Sequence, residues 1–144
     1  MKGRMRDRVD LGLLVIRVGL GLNMVAHGLP KMLGGPEKWA GLGGAMRFVG
    51  LELGESLQIV FGFLAAFAEL GGGLFVALGF LFRPSLVLLV PTMVVAASLH
   101  LGKGEGYTAA SHAIEVGLVF VGLFVSGPGR YRIRLVKGGG GYWS

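Results

Sequence analysis

Four uninterrupted apolar runs, at residues 11–29, 57–82, 85–101 and 109–126, decide what this chain can become. A helix crossing bilayer hydrocarbon needs roughly 20 apolar residues, within a range of about 17–25. All four runs meet that length. In hydrocarbon a helix satisfies each backbone N–H and C=O within its own segment, so apolar runs of this length are read as spanning helices. The expected fold class is therefore all-α, an integral membrane bundle of four transmembrane helices. Residues 1–134 are read as one four-helix membrane domain and residues 135–144, with their Gly138–Gly141 run, as a flexible tail.

Composition narrows the function classes. Hydrophobic residues make up 53% and charged residues 15%, against about 25% charged in ordinary soluble domains. The net charge of +6 does not point to nucleic acid. The basic residues sit at the chain ends and in short loops beside apolar runs, not in one stripe with interleaved aromatics. With no Cys, disulfides, thiol chemistry and Cys-ligated clusters are excluded. The basic start followed by an apolar run imitates a signal peptide. The run continues to Leu29 with no small-residue cleavage site, so it is expected to remain as the first span.

Turn chemistry sets the boundaries. The Arg83-Pro84 junction is expected to divide the second span from the third, because Pro cannot continue a helix but can begin one. Gly-rich residues 102–108 part the third from the fourth, and Gly127-Pro128-Gly129 ends the last. The long connector, residues 30–56, carries its own apolar content. It is expected to hold a short interfacial or re-entrant helix anchored by Trp39. Lys2, Arg4, Arg6, Arg8, Arg83, Arg130, Arg132, Arg134 and Lys137 outnumber Lys31, Lys38, Arg47 and Lys103 on the opposite side. The positive-inside rule then places both termini in the cytoplasm.

Ionisable residues at membrane depth cost a few kcal/mol each on insertion scales, so each calls for an explanation. At about 1.5 Å of rise per residue, Asn23, Glu69, Glu115 and His100 fall about 18–22 Å from the cytoplasmic end of their spans. His27 and His112 fall at about 24–25 Å. Six polar groups from four spans thus share one layer in the outer half of the bilayer. Asn23 and His27, four apart, share a helix face, as do His112 and Glu115, three apart.

Three readings of that layer stay open. His27, Glu69, His112, Glu115 and His100 form a candidate catalytic set for proton exchange, with Asn23, His27, Glu69 and His112 binding a quinone headgroup. Alternatively His27, His100, His112 and Glu115 ligate a metal. The third reading is a hydrogen-bonded polar plug that fixes helix neighbours. Glu69, at mid-bilayer, has to be protonated or paired. Arg17, about 9 Å in, is expected to snorkel to the headgroups.

Several segments resemble the DoxX/DoxD family of small four-helix membrane proteins. These are an Arg early in the first span with Ala26-His27-Gly28-Leu29-Pro30-Lys31, then Ala68-Glu69-Leu70-Gly71-Gly72 with Gly79-Phe80-Leu81-Phe82-Arg83, and last Gly127-Pro128-Gly129-Arg130-Tyr131. The resemblance covers about residues 11–134. It implies a protein of the plasma membrane, with Arg17, His27, Lys31 and Glu69 as the family's recurring polar positions. Family members include a subunit of a thiosulfate:quinone oxidoreductase and partners in redox-stress complexes. The function expected here is an oxidoreductase subunit that couples a partner dehydrogenase to the quinone pool, acting with that partner protein and the lipid bilayer. The alternatives are a non-catalytic scaffold or assembly factor and, less favoured because the polar layer is one-sided, a small-solute transporter. The small residues also allow a homo-oligomer.

Overall fold

A computed structural model describes residues 2–133; the expected tail, together with Arg134 and Lys137, lies outside them. The described residues are mostly helical, with no strand among them. Helix α1 covers Lys2–Met32, α2 Gly35–Gly43, α3 Glu55–Phe67, α4 Gly73–Leu78, α5 Phe82–Gly102 and α6 Tyr107–Ser126. A 3-10 turn, Gly44–Val49, follows α2, and a π-helical turn, Ala68–Gly72, joins α3 to α4 into one continuous rod. Four segments are long and apolar enough to cross a membrane: Gly3–Met32, Glu55–Leu78, Phe82–Gly102 and Tyr107–Ser126. The protein is a multi-pass membrane protein.

Two boundaries differ from the sequence expectation. The first helix is longer than its apolar run and carries Pro30 inside its final turn. The break between the second and third spans lies at residues 79–81, not at Arg83-Pro84. There α4 stops because Gly79 adopts a left-handed conformation, φ 69°, which glycine reaches without a Cβ clash. The Gly79 and Phe80 amides bond back to the Val76 and Phe75 carbonyls, the pattern of a Schellman stop. Pro84 falls in the first turn of α5, where a missing N–H removes no helical bond. It starts a helix without dividing one.

Packing runs α1 on α4, α4 and the π turn on α5, and α5 on α6, while α1 and α6 barely meet. Backbone approaches at glycine make the first of these contacts close. A Cβ at Gly21 would lie 2.5 Å from the Gly73 carbonyl oxygen, and one at Gly28 would collide with the Leu70 nitrogen. In hydrocarbon no hydrophobic force pulls helices together, so such van der Waals contact carries the association. Met24, Val76, Leu86, Leu89, Val116 and Phe120 fill the buried centre.

The connector contains the short helix expected there. α2 runs antiparallel along α3, Trp39 against Gly62 and Gly43 against Gln58, with backbone atoms where glycine Cβ atoms would otherwise stand. Gly62 is seven residues into α3, so α2 reaches about 10 Å along it. The Trp39 ring meets Phe63 edge-on at 5.1 Å. Phe48 of the 3-10 turn then packs against Gly102 at the end of α5. At the opposite end of the bundle, the Arg130 amide donates to Asp10 at 3.1 Å and the Ile133 amide to the Leu78 carbonyl at 3.2 Å. Both ends of the described chain therefore lie at one end of the bundle.

Candidate functional site

The site is built around a buried carboxylate. Glu69 is 3% exposed and sits within the π turn. Such a turn inserts an extra residue into a helix and re-aims the side chains around it, commonly at functional positions. Lys31 supplies the counter-charge: its Nζ lies 2.6 Å from both Oε1 and Oε2 of Glu69. Lys31 belongs to the last turn of α1, where a cation is favoured by the exposed carbonyl ends of the helix. Its backbone is held in turn, since Trp39 Nε1 donates to the Lys31 carbonyl at 3.0 Å. The connector helix thus positions the lysine that neutralises Glu69. Of the two states open to Glu69, protonated or paired, the structure has the paired one.

Lys31, whose charge alone places it with the loop cations, is part of the membrane helix and reaches the Glu69 carboxylate. The signal that finds it is spacing: Asn23, His27 and Lys31 repeat every four residues along α1, placing all three on one face. Next to them, His27 and His112 bring their rings to 5.7 Å with planes tilted by 43°. Both histidines are exposed, and Asn23 is half-buried. An exposed imidazole pair therefore flanks the face of α1 that leads through Lys31 to a buried carboxylate.

His100, near the end of α5, bonds through Nδ1 to Glu105 in the following loop. That hydrogen bond, before any charge effect, lowers the Glu105 carboxyl below its ordinary value. Glu115 is exposed on α6. No three His, Asp or Glu side chains among the described residues come close enough to hold a metal ion together, so the four-residue metal alternative does not converge. Within the expected layer the structure pairs His27 with His112, Glu69 with Lys31 and His100 with Glu105. A separate open cavity of about 660 Å³, lined by Arg47, Glu52, Glu55, Gln58 and Lys103, lies between the connector and the ends of α3 and α5. None of the candidate residues lines it.

Arg17 does not snorkel. It is 2% exposed, and its guanidinium donates to the Ala77 carbonyl at 2.8 Å and to Val76 at 3.5 Å. The Gly79 break ends the helical ladder, the Val76 carbonyl takes the Gly79 amide as well, and a buried cation is favoured at that negative end. Hydropathy carries no signal for this role, because the acceptors are backbone atoms sixty residues away. Nε of Arg17 has no partner among the described residues.

Comparison with known proteins adds a family to this geometry. No curated protein and no solved structure matches the chain. The family description DoxX matches residues 12–102, which takes in Arg17, Asn23, His27, Lys31, Glu69 and His100 and stops before His112 and Glu115. That match runs through three of the four spanning helices and both partners of the buried ion pair: the chain belongs to the DoxX family.

Proposed function

We propose that this protein is the membrane subunit of a redox complex that passes electrons from a partner dehydrogenase to membrane quinone. The headgroup would dock beside His27 and His112, next to the Lys31–Glu69 pair. The observation that carries the reading is that pair: a carboxylate 3% exposed, bonded at both oxygens to a lysine that is 29% exposed. It links the polar face of α1 to the interior. Reducing a quinone to quinol takes two electrons and two protons. The electrons come from the partner, and the protons reach the two quinone oxygens from ring N–H groups or from the lysine ammonium. Glu69 holds the lysine in place. Arg4, Arg6, Arg8 and Arg130, exposed at the end of the bundle that holds both chain ends, support termini on the cytoplasmic side of the plasma membrane.

Quinone bound to the detergent-purified protein, extracted and separated by chromatography, tests the reading. Bound quinone in the wild-type chain and its loss in Glu69→Gln and His27→Ala, with the helical content unchanged, is the expected result. Wild-type protein that neither co-purifies with quinone nor binds added quinone overturns it. The four-helix frame would then be a scaffold for partner enzymes.

A further inference from the structure

The two imidazoles between α1 and α6 have a geometry of their own. These helices barely meet, yet His27 and His112 stand with ring centres 5.7 Å apart, both exposed. A metal ion bound by imidazole lies about 2.0–2.1 Å from nitrogen, hence about 3.2 Å from the ring centre. Two rings sharing one ion at a tetrahedral angle therefore have centres about 5.2 Å apart. The observed spacing exceeds that by about 0.5 Å, a gap that a small side-chain rotation closes. His100 offers no such partner, being bonded to Glu105.

We propose that His27 and His112 form a two-imidazole site for a divalent transition-metal ion, Cu²⁺ being held more tightly than Zn²⁺. The remaining coordination positions are open to water. The bound ion joins α1 to α6 across the weakest seam of the bundle. Binding needs only the two rings and does not depend on the redox reading. It bears on that reading at one point, because a metal on these nitrogens removes the donors a quinone headgroup would use.

The test is a Cu²⁺ titration of tag-free, detergent-purified full-length protein, followed by electron paramagnetic resonance. Thermal unfolding with and without Zn²⁺ is measured alongside. One saturable Cu²⁺ per chain with hyperfine coupling to two nitrogens is expected. His27→Ala and His112→Ala should each weaken binding at least tenfold and abolish the Zn²⁺-dependent rise in Tm, while His100→Ala keeps both. Absence of saturable binding overturns the proposal, as does binding that survives in the His27→Ala/His112→Ala double variant. Quinone content is assayed on the same preparations without metal. Wild-type protein that binds copper but no quinone would sink the redox reading alone, and wild-type protein that binds quinone but no copper would sink the metal site alone.

Discussion

One ammonium group, Lys31 Nζ, sits 2.6 Å from both carboxylate oxygens of Glu69, and the two partners differ in their access to solvent. The glutamate is 3% exposed and the lysine 29%. Removing either side chain therefore leaves a different problem behind. Lys31→Met strands a carboxylate in the interior, and breaking a buried pair this way costs about 3–5 kcal/mol. Glu69→Gln leaves a lysine that can swing its ammonium toward the headgroups, for about 1 kcal/mol. Denaturant titration in micelles, followed by circular dichroism, should rank Lys31→Met well below Glu69→Gln. The reverse order would show that the carboxylate has another partner.

Arg17 serves the end of α4, so its loss should loosen the second and third spans at their junction. Hydrogen bonds from a charged donor are worth about 1.5–3 kcal/mol each. Arg17→Leu, which keeps bulk and removes both donors to Val76 and Ala77, is expected to lower stability by about that much. Hydrogen exchange should quicken at residues 76–81 before it does elsewhere. Exchange that is unchanged there would mean the carbonyls find other donors.

The seam between α2 and α3 tolerates no side chain. A Cβ at Gly62 would overlap the Trp39 carbonyl, whereas at Gly12 and Gly19 it would meet nothing within 4 Å. Gly62→Ala should displace α2, shift Trp39 fluorescence and, by moving Lys31's backbone anchor, weaken the pair with Glu69. Gly12→Ala and Gly19→Ala should be neutral or stabilising, since Ala exceeds Gly in helix propensity by about 1 kcal/mol. Equal effects at all three positions would discard the close-contact explanation.

The His100–Glu105 bond closes the loop between α5 and α6. Its hydrogen bond holds the Glu105 carboxyl below the ordinary value of 4.5. A group depressed in the folded state contributes stability that is present above its unfolded value and lost as pH falls through the folded one. Residues 102–107 should therefore stay ordered at neutral pH and loosen on acidification below about 4.5. Carbon-13 NMR of the Glu105 carboxyl should show its titration moving back upward in His100→Ala. A titration unmoved by that change would assign the depression to another cause.

The spans were legible because length and hydropathy report directly on what a bilayer accepts. Their ends were less so. Gly79-Phe80-Leu81 is apolar and blends into the runs on either side. A left-handed glycine is a backbone property that hydropathy does not record, so the proline drew the boundary four residues too late. Depth arithmetic put His27 and His112 at one level, where their rings lie 5.7 Å apart. It could not give rotation about each helix axis, and so did not show that His100 turns to Glu105. The family resemblance singled out Lys31, but charge placement did not, because a cation at the end of an apolar run reads as a loop residue. Arg17 was misread because its partners are carbonyls, which every residue has and no composition distinguishes.

The Arg17–Ala77 contact also has a consequence in time. The two residues are sixty positions apart. At about 5–20 residues per second of synthesis, the guanidinium emerges roughly 3–12 s before the carbonyl that receives it. For that interval the first helix carries a cation with no acceptor from its own bundle, at a depth where hydrocarbon disfavours it. Until α4 arrives, snorkelling to the headgroups is the local solution open to Arg17. Its final place in the bundle is reached only once the second span is made.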